Sequence, residues 1–441
     1  MEKTIHESSG KKHILLTGLG MLKKTTEYLW NGKKTKAELT PLALVQLLDK
    51  SQLPNHVIGV VTAGAKRETW QTFRAGICNT LKFSPELVEI PNGNNADELR
   101  QILESVANRI PEGADLTLDV TQGFRHFPFI FYALVLYLKS LREVNIRGAY
   151  YGMVEGIPQD EPKPIIDLQP LLELPEWFHA VRMFRDQGTT TSMAQLLQPL
   201  ANTLTWETGQ LFKDGKKKEG TERSEQAKQV RGSVDWLERY AFAYESALPL
   251  ELEKASRGLI DSIKGLPTIG STGRPPLVGE LTKNIVSAAK ETAFTVSPSS
   301  KGKWKQHIRL DKDELNRQAY MIDLYLDRDQ LSLAIGLMRE WVVSWAIWKS
   351  DNCKDIKNWL ELDVRELYSK ELGAIGAAAR GEAATLKLTL SVPEGFGNFW
   401  NQLTIELRNA LLHNAMRIES VEEPPKSLQS VQKFWNTLKS V

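Results

Sequence analysis

Three residues near the carboxyl end have the types and spacing for work on a phosphodiester. Arg408, Asn409 and His413 stand within Leu407-Arg408-Asn409-Ala410-Leu411-Leu412-His413-Asn414. Across residues 399–416, Trp400, Leu403, Leu407, Leu411 and Ala415 recur at helical spacing. This predicts a helix that carries the polar trio beside its apolar stripe. Asn409 and His413 are four apart and share a face. Arg408 and His413 are roughly 140° apart on an ideal helix, within the swing of a long arginine. A guanidinium stabilises charge gathering on phosphorus, an imidazole holds or moves a proton near neutral pH, and a short amide orients either.

A second constellation is Asp119-Val120-Thr121-Gln122-Gly123-Phe124-Arg125-His126-Phe127-Pro128. It lies between a buried-strand pattern and a buried-helix pattern. A polar loop there, with Gly123 at its bend, offers backbone N–H groups and a helix N-terminus to an anion. Thr121 and Gln122 can read hydroxyls and base edges, and Arg125 and His126 can add charge or stacking. Gly18-Leu19-Gly20 and Ala63-Gly64 form two further loops that follow apolar runs. Gly18 and Gly20 supply the first two glycines of a dinucleotide fingerprint, but Lys23 stands where the third would be. No acidic residue is clearly placed to hold a ribose after the second strand, so a nicotinamide-dinucleotide site is disfavoured.

The elements that must position these residues are legible as a pattern. Short apolar strands at 13–17, 56–62, 87–90, 116–120 and 146–154 alternate with helices at 41–53, 68–81, 94–109 and 127–141. Asn94 or Asn95 caps the third of these helices. Such alternation implies βαβ units and a parallel, doubly wound, Rossmann-like sheet. Ligands of such sheets sit at the carboxyl ends of the strands, where loops 17–23, 62–66 and 119–128 would converge. From about residue 170 the pattern is helical: 176–197, 222–240, 244–266, 278–292, 311–327, 330–348, 355–372, 397–416 and 427–439. Residues 213–225 read as a charged loop, and 267–276 and 297–307 as turn-rich. The last is basic and carries Trp304, a composition suited to RNA phosphates and a base.

Composition bounds the rest. A chain of 441 residues calls for two or three domains. An apolar fraction of 41%, a charged fraction of 25% and a net charge of +2 describe an ordinary globular protein without a global basic field. Two distant cysteines, Cys78 and Cys353, with no CxxC or Cys/His cluster, predict a reduced protein without a zinc site. The polar first twelve residues do not read as a signal peptide. The apolar run 127–138 is too short to span a bilayer, so no membrane partner is expected.

The two constellations together resemble a known family. Residues 119–128 are similar to the Asp-x-Thr-His-Gly signature of CRISPR-associated Rossmann-fold (CARF) proteins, with Gln122 in the signature's histidine position. Arg408-Asn409-x-x-x-His413 resembles the Arg-x-x-x-x-His motif of HEPN ribonucleases. Arg339-Glu340-Trp341 resembles the helix that faces that motif in HEPN folds. The layout is similar to the CARF–HEPN effectors of type III CRISPR systems. The resemblance implies a CARF domain over 1–170, a helical connector over 171–300 and an all-α HEPN domain over 301–441. It implies a cyclic oligoadenylate activator, the tetra-adenylate favoured over the hexa-adenylate, held across a homodimer. The residues implied are Gly18, Leu19, Gly20, Ala63, Gly64, Thr121, Gln122, Gly123, Phe124, Arg125 and His126. It further implies antiviral cleavage of single-stranded RNA by its own 2′-OH at Arg408, Asn409 and His413, with no metal or other cofactor. The setting implied is the cytoplasm, with assembly as a homodimer or a higher oligomer. Two other readings stay open on the residues: a ligand-sensing regulatory protein without nuclease activity, and a nucleotide-dependent oxidoreductase using the Gly18/Gly20 loop.

Overall fold

The computed structural model describes residues 11–154, 156–263, 278–293, 304–350, 358–388, 390–412 and 424–440. The chain divides into two compact units, Met1–Pro175 and Glu176–Val441. In the first, the apolar runs form β1 (His13–Gly18), β4 (His56–Val61), β5 (Glu86–Glu89), β6 (Asp115–Asp119) and β7 (Asn145–Gly152), all parallel to their neighbours within this set. Leu16 on β1 lies opposite Ile58 on β4 and Leu118 on β6. Side chains alternate across the sheet. Ile14 and Leu16 face one core layer with α4 (Ala96–Ala107) and α5 (Phe127–Arg142), while Leu15 faces the other with α1 (Thr40–Leu47) and α3 (Trp70–Leu81).

The sheet is mixed rather than wholly parallel, which corrects the expectation. Three further strands extend it: β2 (Thr26–Trp30), β3 (Lys33–Ala37) and β8 (Lys163–Asp167). The order is β3-β2-β8-β7-β6-β1-β4-β5. β8 runs antiparallel to β7, and β2 and β3 form an antiparallel hairpin. Its turn is Asn31-Gly32, with φ of +48° and +76°, as a two-residue turn of the favoured hand requires.

The second unit is helical among its described residues. Its core helix, α13 (Leu331–Ser350), buries Trp341, Trp345 and Trp348. By length and composition it could cross a membrane, but most of it is packed inside the unit. Several expected boundaries move. The helix expected over 176–197 is broken at Gly188 into α7 (Leu174–Gln187) and α8 (Thr191–Lys213). The segment expected as a charged loop at 213–225 is helical from Lys217, where α9 (Lys217–Glu245) begins and pairs with α8. α10 (Pro249–Ile263), α11 (Val278–Thr292) and α12 (Lys312–Asp327) follow. The helix expected to begin near 355 is α14 (Leu362–Ala379).

Candidate ligand pocket and candidate nuclease motif

The three predicted loops of the first unit meet. The carboxyl ends of β1, β4 and β6 open into a cavity of about 350 Å³ lined by Leu19, Gly20, Met21, Leu22, Thr62, Ala65, Thr121, Gln122, Gly123, Phe124 and Phe127. A Cβ on Gly20 would stand 3.3 Å from the Gly123 nitrogen, so the first and third loops approach backbone to backbone. Thr69 holds the first loop by donating its hydroxyl to the Gly20 carbonyl at 2.8 Å.

Asp119 builds the third loop. Its carboxylate is fully buried and accepts from Thr17 Oγ1 at 2.7 Å, Thr121 N at 3.2 Å and Thr121 Oγ1 at 2.5 Å. Thr121 Oγ1 in turn accepts from the Gly152 amide at 2.8 Å. Burial pushes the Asp119 carboxyl above the ordinary carboxylate range, against the pull of these donors. Asp119 is therefore bound up in shaping the loop, and the groups it presents to the cavity are Thr121, Gln122 and Gly123. Gln122 Oε1 is buried with no hydrogen-bond partner, one of two such side-chain atoms among the described residues. An unpaired buried amide is costly unless something arrives to satisfy it. Phe127 opens α5, whose first turn has no side-chain cap, so the positive end of the helix dipole is left at the cavity rim.

Several predicted residues stand elsewhere. His126 Nε2 bonds the Asn92 carbonyl at 3.0 Å, and its ring stacks on Phe124. Arg125 is exposed and outside the cavity wall, and Gly18, Ala63 and Gly64 are likewise not part of its lining. A Cβ on Gly64 would meet Met21 Sδ at 2.9 Å, so that glycine lets Met21 close one side. The exposed pair Met21 and Leu22, and Thr62, Ala65 and Phe127, all from the three expected loops, complete the wall. The signal for Thr62 was present: it caps α2 (Ala63–Glu68), accepting from the Ala65 amide at 3.5 Å.

In the second unit, Arg408 closes a segment that is not α-helical. α15 (Phe396–Asn401) passes into a π-helix over Gln402–Arg408, and α16 (Asn409–Leu412) resumes the tighter turn. The wider turn corrects the simple helix expected here. It keeps Leu403 and Leu407 buried, with Leu411 packed beside them, at a spacing of four. π-bulges of this kind recur at functional sites. Arg408 and Asn409 are half-buried, and His413 lies outside the described residues. α13 packs on the π segment and on α16. On it, Arg339 donates to Glu340 and Ser369, each at 2.5 Å, and lies 5.9 Å over the Trp400 ring. The structure thus sets Arg339 against the helical run that leads to Arg408.

No protein-family model matches the chain. A stretch of 121 residues is 29% identical to the CRISPR-associated protein MJ1674 of Methanocaldococcus jannaschii. The match covers 27% of this chain and 18% of that protein, so the chain spans less than a fifth of the relative's length.

Proposed function

We propose that the chain is a cyclic oligoadenylate-gated ribonuclease of CRISPR antiviral defence, working as a homodimer. The observation that carries the ligand half of this reading is the cavity with its unsatisfied Gln122 amide, built from loops at three strand ends. The likeness to a CRISPR-associated protein supports the biological setting. In the nuclease half, Arg408 stabilises charge on phosphorus, His413 holds or moves the proton of the attacking 2′-OH, and Asn409 orients its neighbours. The 2′-oxygen bonds to phosphorus as the bond to the 5′-oxygen breaks. The leaving oxygen takes a proton, and the products are a 2′,3′-cyclic phosphate and a 5′-hydroxyl.

Cavity size supports a two-fold assembly. A volume of about 350 Å³ is near the small end for ligand pockets, roomy enough for a nucleotide-sized group but small for a ring of four. A ring with two-fold symmetry fits two such cavities across an isologous interface. α5, whose residues 127–138 carry no charged side chain, supports this reading with an apolar outer face. Its outer stripe leaves Phe129 80% exposed and Leu141 70% exposed, with Tyr132 and Tyr137 between them. A face of this kind is normally covered by a partner.

Two measurements test this. Calorimetry with cyclic tetra-adenylate is expected to give one ring per two chains. Phe129→Glu with Leu141→Glu is expected to yield monomers in sedimentation and to weaken ring binding at least about tenfold, since half of the site is lost. A stoichiometry of one ring per chain, unaffected by those substitutions, contradicts the shared site. Tight ring binding with no RNA cleavage under any condition leaves a ligand sensor and removes the nuclease.

A further inference from the structure

We infer that a groove in the second unit, between α9, α10 and the turn at Trp304–His307, binds an unpaired nucleotide of a single-stranded nucleic acid. The groove encloses about 560 Å³, within the range of ligand pockets. It lies in the helical unit at a distance in sequence from Arg408, and nothing in the nuclease reading uses it.

Its walls hold three aromatic rings, Trp236, Phe242 and Trp304, with the cations Arg239 and Lys254 and the carboxylates Asp235, Glu238 and Glu251. Trp236 on α9 lies flat on α10 at Gly258, where an added Cβ would stand 2.3 Å from the indole. Glycine weakens a helix interior, and here it makes room for a ring. The Arg239 guanidinium sits 5.1 Å from the Trp236 ring. Across the groove, Lys254 and Lys305 stand 5.4 and 5.8 Å from the Trp304 ring. Phe242 is 65% exposed at the edge. Trp236 and Trp304 are half-buried, and aromatic rings flanked by cations are what a base and its phosphate need from a protein.

Charge narrows the occupant. Lys305 is paired with Glu251, whereas Arg239 and Lys254 make no ion pair among the described residues. These two cations, each over an indole ring, fit one or two phosphates and do not make a track for a long polyanion. Asp235, Glu238 and Glu251 also line the groove, and Glu251 is the one paired with Lys305. Carboxylates accept from amino groups on base edges, so cytosine or adenine is favoured over thymine or uracil.

The inference stands beside the nuclease reading without requiring it, because the readout is binding of a strand that has no 2′-OH. Fluorescence anisotropy of the full chain with labelled short oligodeoxycytidylate and oligothymidylate is the experiment. The cytidylate is expected to bind tighter, with a log–log salt slope of roughly −1, the value for one or two phosphates. Trp304→Ala is expected to weaken it about five- to a hundred-fold. Lys254→Glu, an exposed substitution that leaves the fold intact, should weaken it too. Arg408→Ala should leave it unchanged. Equal affinity in the parent, Trp304→Ala and Lys254→Glu overturns the inference, as does loss confined to Arg408→Ala. Displacement by AMP at the strand's own concentration overturns the strand in favour of a free mononucleotide.

Discussion

His413→Ala is expected to abolish RNA cleavage while leaving cyclic oligoadenylate binding and dimerisation intact. Removing a positioned acid or base costs about 10²- to 10⁴-fold in rate. Removing a cation that meets charge only in the transition state costs about 10²- to 10³-fold, so Arg408→Ala should fall nearly as far. In the proposed mechanism the two groups serve one step, so the double variant should be little slower than His413→Ala alone. The parent's products should carry a 2′,3′-cyclic phosphate or its opened form, with a 5′-hydroxyl on the other fragment. EDTA should have little effect, and DNA should survive because it lacks the attacking hydroxyl. A substrate with a single 2′-deoxy residue at the preferred bond is the check on roles. Cleavage of that bond at the normal rate would make water the nucleophile and remove both assignments.

The second large effect is expected in the first unit. Gly123 has a φ of +107°, and a Cβ there would stand 2.5 Å from the Phe127 ring. Valine is therefore excluded twice, by backbone conformation and by the ring that lines the cavity. Gly123→Val should displace the loop and weaken cyclic oligoadenylate binding at least about tenfold, with strain of roughly 1–3 kcal/mol lowering thermal stability. Gln122→Ala separates ligand contact from folding. It leaves the backbone alone and removes the unsatisfied amide, so it should weaken binding while holding or raising the melting temperature. Unchanged affinity in both variants would remove the loop from the site.

Much of the first unit was legible because its central strands are buried on both faces and read as apolar runs. The same fact placed the three loops at one end of the sheet. The added strands were not, for physical reasons that differ. The Asn31-Gly32 turn of the β2–β3 hairpin is a strong local signal, but its strands, TEYLW and KKTKA, are half-exposed at the sheet edge and carry no apolar run. β8 is short and contains Pro164, which reads against a strand. In the second unit, apolar periodicity runs through Gly188, so α7 and α8 read as one helix. The opening of α9 is nearly all polar, so its helical propensity was masked by its charge.

At the candidate sites the sequence placed Thr121, Gln122 and Gly123 in the cavity wall but did not show what Asp119 does. That role depends on Thr17, a hundred residues earlier, which only the pairing of β1 with β6 brings alongside. His126 read as a ligand group, yet the Asn92 carbonyl from the loop after β5 claims it. The π-helix before Asn409 has no sequence signal beyond the spacing of Leu403, Leu407 and Leu411. Met21 and Leu22 carry no signal in the sequence, because the place of Met21 in the wall depends on the room that Gly64, on another loop, leaves for it.

The central claim, that ligand binding in one unit governs chemistry in the other, is tested most directly by one rate. A labelled single-stranded RNA is incubated with the purified chain in the presence and absence of cyclic tetra- and hexa-adenylate, and initial cleavage rates are compared. A ligand that takes the active arrangement from one molecule in a hundred to nearly all of them raises the rate about a hundredfold, which requires about 10⁴-fold tighter binding to that arrangement. The account predicts a rise of that order with the tetra-adenylate and weak cleavage without it. Cleavage equally fast with and without either ring would contradict it.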